Sequence, residues 1–304
     1  MRQHLEQGTE VLVFGAGPVG LTMASELTRH GTPCRIIDTS PEPASTSRAL
    51  AIFPRTLEAF ENMGVVEAVL HAGHRLSSIN IYAAGRRLAH LCLGEIESPY
   101  PFVISLPQSE TERVLLAHLA QMGVEVERQV ALLGFTQEAE GVNARLLHCQ
   151  QHEETMRKPW LIGCDGAHST VRHTLGLPFP GTRYDETFVL ADVTMHTSLP
   201  DDEVSLFFHQ DGVLGFFPFG TGRYRIVAVI PPDTTVPPPA GLTLADVQAL
   251  VDTRGPADIT LREPLWLSAF HIALRAARCI TSAMDVSSWP VMRRISTVPP
   301  AARA

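Results

Sequence analysis

The sequence predicts an α/β fold: a three-layer, Rossmann-like nucleotide domain with an adjoining, mostly antiparallel β-sheet domain. Three observations carry this. A short apolar run, Val11–Phe14, leads into the glycine turn Gly15-Ala16-Gly17-Pro18-Val19-Gly20, and an amphipathic stretch then leads into Cys34-Arg35-Ile36-Ile37-Asp38, the strand–helix–strand order of a parallel βαβ unit. From about Thr187 the pattern changes to strict apolar–polar alternation broken by Gly and Pro turns, the mark of a sheet with two different faces. The third observation is compositional. With 45% hydrophobic and 18% charged residues in 304, the chain can bury a large core, and disorder, collagen and coiled coil are excluded.

Taken in order, helical spacing predicts helices over Val19–His30, Arg55–Met63, Val65–Leu70 and Ser109–Met122, with stops at Gly64, Gly73 and Gly123. Strands are predicted at Ser78–Ala83 and Leu88–Leu93 around Gly85, then at Val124–Glu127, Ala131–Phe135, Val142–Leu147 and Trp160–Cys164. The alternating part gives strands at 188–193, Val204–Phe208, Val213–Phe219, Tyr224–Ile230 and Leu261–Ala269, and one helix near Leu242–Val251. The expected division is therefore 1–185 for the nucleotide domain with a sheet insert at about 76–105, 186–278 for the second sheet, and 279–304 as an irregular tail.

With 24 Lys and Arg against 32 Asp and Glu, the formal net charge is −8, and basic residues never cluster beyond a pair. That balance argues against a nucleic-acid or anionic-membrane surface and favours small-molecule chemistry. The five cysteines form no C-x-x-C pair and read as reduced thiols. There is no apolar run of about 18 residues and no secretory leader pattern, so the expectation is a cytoplasmic protein. Thirteen histidines show no closed ligand spacing, no metal site is expected, and there is no G-x-S-x-G elbow for a serine hydrolase.

Each glycine of G-x-G-x-x-G has a physical task. Gly15 permits the tight turn, Gly17 lets backbone approach a pyrophosphate, and Gly20 allows close helix–strand packing. The helix N-terminus, carrying roughly +0.5 of an elementary charge, faces the phosphates. Asp38, closing the second strand, is placed to accept hydrogen bonds from a ribose. FAD and NAD both fit this fingerprint.

A second motif separates them. The segment 160–172, Trp-Leu-Ile-Gly-Cys-Asp-Gly-Ala-His-Ser-Thr-Val-Arg, resembles the Asp-Gly segment of the single-component flavin-dependent aromatic hydroxylases, the para-hydroxybenzoate hydroxylase type, and it follows the first motif at a distance of about 150 residues. The resemblance implies that Asp165 and Gly166 touch FAD and the incoming nicotinamide nucleotide. It further implies that Arg48, in Ser47-Arg48-Ala49, reaches the flavin from the loop after the second strand, and that Gln108, in Leu106-Pro107-Gln108, contacts the cofactor. Phe217-Pro218-Phe219 and Arg223-Tyr224-Arg225 loosely resemble strands that wall a substrate pocket, while a plain core hairpin explains them more simply. The implied protein is an FAD-dependent monooxygenase acting on an aromatic or phenolic small molecule with NAD(P)H and O₂. Because the cofactor carries the hard chemistry, no catalytic side chain stands out. Two alternatives are a related FAD oxidoreductase on a non-aromatic substrate and a catalytically impaired nucleotide-binding remnant.

The resemblance covers about residues 9–278 and then stops before the family's Gly-Asp segment and Pro-Gly-rich loop. Cys279–Ala304 shows no period and holds Pro290, Pro299 and Pro300 with a single acid, Asp285. The expected explanation is a change of reading frame. Starting from the last base of Met284, codons compatible with Asp285 to Arg303 and the start of Ala304 spell GRVFLAGDAAHIHSPAGGQG, which resembles the missing segment and loop. Trp289 and Met292, each with a single codon, fit as well. The expected shift lies between about Ala276 and Met284. Resequencing the gene through this window is expected to show bases that encode the string in another frame; bases that cannot encode it overturn the idea. The 304-residue chain is accordingly expected to retain FAD weakly and the restored chain to bind it.

Overall fold

The computed structural model describes residues 10–45, 49–149, 151–232 and 241–275. They divide into two compact units: one is built from the described residues of 1–45 and 109–181, the other from those of 46–108 and 182–274.

The first unit is centred on a four-stranded parallel sheet in the order Trp160–Gly163, Val11–Phe14, Cys34–Asp38, Val126–Arg128. Val11–Phe14 is buried along its whole length, as a central parallel strand requires. Helix Pro18–Arg29 starts with Pro at its first turn, where the missing N–H has no helical partner to lose, and packs on the two central strands through its buried Gly20, Leu21, Ala24 and Ser25. On the sheet's other face, Leu12, Phe14 and Ile37 pack against Val130, Leu132, Ala144 and Leu146. Those come from an antiparallel sheet of Val130–Glu138, Gly141–His148 and Glu153–Lys158. Helix, parallel sheet and antiparallel sheet are the three layers the sequence predicts. The strand Glu153–Lys158 is an addition: its Glu-Glu-Thr-Met-Arg-Lys sequence carries almost no apolar signal, and pairing with Gly141–His148 creates it.

The second unit is a seven-stranded sheet in the order Thr260–Phe270, Thr187–His196, Arg223–Ile230, Gly212–Gly220, Glu203–His209, Ser78–Ala83, Arg86–Cys92. Neighbours are antiparallel except Glu203–His209 and Ser78–Ala83, which run parallel. That pairing, between strands more than a hundred residues apart in sequence, is why 49–108 belongs with this unit. Helix Leu244–Arg254, started by a Thr243/Asp246 capping box, is packed on one sheet face. Its Val247 and Val251 join Val189, Ala191, Val193, Leu214, Phe216 and Ile226 in the unit's main core. A small sheet of Ala51–Ile52, Val103–Ser105 and His74–Leu76 completes the unit. No helix of the described residues is long and apolar enough to cross a membrane.

Phe216 is 1% exposed within that core. Phe216→Ala is expected to lower the unfolding free energy by about 3–5 kcal/mol, the usual cost of emptying a buried aromatic site, read from the urea midpoint of the second unit.

Candidate functional site

The two glycine-bearing turns of the first unit pack on each other. The Cys164 N–H donates to the Phe14 carbonyl at 2.7 Å, and the Gly15 N–H to the Ile37 carbonyl at 2.8 Å. Gly15 sits at φ +105°, and a Cβ there would lie 2.4 Å from the Cys164 carbonyl oxygen; a Cβ on Gly20 would lie 1.7 Å from the Gly15 oxygen. Both positions therefore exclude any side chain. Gly17 differs, since a Cβ there would meet nothing within 4 Å. Its backbone is open to an approaching group, as a pyrophosphate cradle needs. The helix it caps has no side-chain cap and no acid in its first turn, so the positive end is not neutralised locally.

Asp38 ends its strand beside this turn. Its Oδ2 accepts from the Ala16 N–H at 2.6 Å and its Oδ1 from the Ser40 N–H at 2.7 Å. Two backbone donors fix the carboxylate, and each oxygen keeps a lone pair for a ligand hydroxyl. Next to it on the neighbouring strand is Arg128, whose Nη2 is buried without a hydrogen-bond partner. An open glycine backbone, an uncapped helix start, a held acid and an orphaned buried donor fit the adenosine diphosphate half of a dinucleotide.

Asp165 builds its own turn: Oδ1 accepts from the Ser169 hydroxyl at 2.5 Å and Oδ2 from the Val171 N–H at 3.2 Å. Ser169 in turn caps helix Thr170–Thr174 by accepting from the Arg172 N–H. Gly166, at φ +76° with open space around it, supplies the left-handed step. Burial, reinforced by the Asp165 carboxylate, pushes the adjacent Cys164 thiol up to about 12.

In the second unit, Gln108 opens helix Gln108–Gln121, and its backbone N–H donates to the Ala49 carbonyl at 3.3 Å. Arg48 lies outside the described residues. The same Ala49 carbonyl accepts from Arg225 Nη1 at 3.2 Å. Sequence reasoning missed the reason for this arginine. Arg225 and Asp192 are cross-strand register partners, joined by two 2.7 Å hydrogen bonds, with Arg225 2% exposed. Asp192 lies between the core residues Ala191 and Val193, so it projects from the face opposite the helix. A bidentate pair in that position anchors the Ala49 backbone to the sheet. The available signal was an acid within the apolar run Phe188–Val193, because a buried charge needs a partner.

A cleft of about 610 Å³ opens where this sheet meets Asp201, lined among others by Thr194, His196, Tyr224 and Arg262. None of the described residues expected to touch a cofactor lines it.

The FAD binding domain family matches residues 8–282, and the chain belongs to that family. The 6-methylpretetramide 4-monooxygenase of Streptomyces rimosus is 36% identical over 290 residues, covering 90% of this chain and 50% of its own length. Among solved structures, the anhydrotetracycline hydroxylase from Streptomyces rimosus superposes with a TM-score of 0.69 at 27% identity, covering 90% of this chain and 54% of that one. The p-nitrophenol 4-monooxygenase from Pseudomonas putida shares the fold, with a TM-score of 0.75 at 22% identity over 90% of this chain and 70% of its own. The chain spans about half the length of the curated relatives it matches.

Two outcomes follow from the geometry. Asp192→Ala leaves the Arg225 guanidinium buried and unpaired, and is expected to cost about 3–5 kcal/mol in urea unfolding, more than replacing both residues by apolar ones of similar volume. A thiol raised to about 12 stays protonated through neutral and mildly alkaline pH. Iodoacetamide at pH 8 is therefore expected to label the exposed Cys92 and Cys149 while sparing Cys164 until the chain unfolds, as read by peptide mass spectrometry.

Proposed function

We propose that this chain is the cofactor-holding part of an FAD-dependent monooxygenase that hydroxylates an aromatic or phenolic small molecule with NAD(P)H and O₂. The observation that carries the reading is the interlocked pair of turns, Gly15–Gly20 on Cys164–Asp165, in a chain of the FAD binding domain family. FAD supplies the redox chemistry, accepting electrons from the nicotinamide and activating oxygen. The residues of the chain bind and orient. The Gly15–Gly20 backbone and the start of helix Pro18–Arg29 hold the pyrophosphate, Asp38 holds the ribose, and the turn built by Asp165 and Gly166 closes the site. Gln108 and Arg48 are taken as cofactor contacts on the family resemblance, and the Asp192–Arg225 pair holds the Ala49 carbonyl that the Gln108 N–H also engages.

The names of two relatives, a 6-methylpretetramide 4-monooxygenase and a pentachlorophenol 4-monooxygenase, support an aromatic or phenolic substrate. A cytoplasmic location agrees with free thiols at the described Cys34, Cys92, Cys149 and Cys164 and with the nicotinamide co-substrate. A second reading, a chain impaired in holding FAD, is favoured by the Gly-Asp string spelled in another frame; the family match ends at residue 282, inside the window where the shift is expected.

Side-by-side expression of the 304-residue and frame-restored chains tests both readings. The restored chain is expected to copurify with about one FAD per protein and to oxidise NAD(P)H faster with a phenol, giving a product heavier by one oxygen atom. The 304-residue chain is expected to lose FAD on gel filtration. A restored chain that holds FAD and yet oxygenates no phenol in a panel of single-ring and multi-ring compounds contradicts the monooxygenase assignment.

A further inference from the structure

Asp38 and Arg128 are register partners at the ends of adjacent parallel strands. Their side chains are each 17% exposed, with Arg128 Nη1 4.0 Å from Asp38 Oδ1. That distance is an ion-pair separation, too long for a hydrogen bond. Arg128 Nη2 is fully buried and donates to nothing. Arg35, a nearby arginine of the same sheet, is unlike it, because Glu127 and Glu154 both hold its guanidinium. A buried guanidinium N–H without an acceptor is costly and uncommon, and beside an acid at a nucleotide turn it points to a polar partner supplied from outside the chain.

The chemistry of the pair identifies that group. Asp38 offers only lone pairs and Arg128 only protons. A ribose hydroxyl is both a donor and an acceptor, and a vicinal diol presents two of them side by side. An acid that takes the hydroxyl protons next to a guanidinium that feeds the hydroxyl lone pairs matches a diol fully, whereas an acid alone leaves the oxygen lone pairs unused. We propose that Arg128 and Asp38 form a diol clamp for the adenosine ribose, with Arg128 as the donor that makes recognition depend on the hydroxyl oxygens. A 2′-phosphate does not fit this clamp, because Asp38 repels it. The inference rests on the reading that the Gly15–Gly20 turn holds a dinucleotide, and it adds a residue that neither the glycine motif nor the family resemblance assigned.

The adenosine half of the site lies within the described residues, so the 304-residue chain can be titrated with ADP, 2′-deoxy-ADP, 3′-deoxy-ADP and adenosine 2′,5′-bisphosphate in a calorimeter. For Arg128→Ala, ADP affinity is expected to fall roughly ten- to a hundredfold, the usual consequence of losing a hydrogen bond from a charged donor. The same substitution is expected to cost nothing further with the deoxy nucleotide that lacks the hydroxyl Arg128 serves. Arg128→Lys keeps the charge without the fork and is expected to restore only part of the ADP affinity. In wild type the 2′-phosphorylated nucleotide is expected to bind more weakly than ADP. Arg128→Ala gives up the 4.0 Å ion pair with Asp38 and the packing of the arginine stem, so its thermal midpoint is expected to fall modestly while Arg128→Lys keeps it near wild type; should Arg128→Ala unfold, Arg128→Gln and Arg128→Lys provide the same comparison. An equal loss with ADP and both deoxy nucleotides shows a general charge effect and overturns the clamp, as does no loss at all. Failure of the wild-type chain to bind ADP overturns the dinucleotide reading as well, and so is distinguishable from failure of the clamp alone.

Discussion

The structure of the first unit depends on one steric constraint: the backbone of the Gly15 turn lies against the backbone of Cys164, and the helix starting at Pro18 lies against the Gly15 carbonyl, at separations where no Cβ fits. This constraint aligns strand ends. Val11–Phe14 is paired in parallel with Trp160–Gly163 on one side and Cys34–Asp38 on the other, so both chain reversals and Asp38 emerge at the same edge of the sheet. That edge, at the carboxyl ends of parallel strands, is where open α/β sheets bind their ligands. The Asp165 carboxylate, held by Ser169 and Val171, keeps the second turn shaped to receive the first.

The second unit solves a different problem. Its seven-stranded sheet is covered on one face by helix Leu244–Arg254 and carries on the other an ion pair, Asp192–Arg225, that hydrophobic patterning would not place there. Such a pair is poor evidence for stability in its own right, since desolvating two charges offsets most of their attraction. Its value here is positional. Arg225 reaches the Ala49 carbonyl, which Gln108 also engages, so a charge held inside the sheet fixes the backbone of two segments expected at the flavin.

Much of this was legible in the sequence. The glycines at 15, 17 and 20 stand between a short apolar strand and an amphipathic helix, where local sterics admit few other arrangements, and the alternation after Thr187 marked a sheet with one covered face. What escaped the reading has non-local causes. Glu153–Lys158 becomes a strand only because Gly141–His148 offers it a partner. Ala51–Ile52 and His74–Leu76 are too short to show a period and exist because both pair with Val103–Ser105. Asp192 was read as one residue of an apolar strand, and Arg225 as part of a core hairpin, since nothing in either neighbourhood names the other 33 positions away. Arg128 falls just past the strand expected at Val124–Glu127, and only the burial of its Nη2 singles it out.

The central claim is that Gly20 is required by packing of the helix on the Gly15 carbonyl and Gly17 by access of a ligand, so the two glycines fail differently. Paired measurements of thermal unfolding and ADP affinity on Gly20→Ala and Gly17→Ala test this most directly. The account predicts that Gly20→Ala destabilises the first unit or prevents it from folding, while Gly17→Ala unfolds at the wild-type temperature and binds ADP more weakly. A Gly20→Ala chain as stable as wild type, with ADP affinity intact, would contradict it.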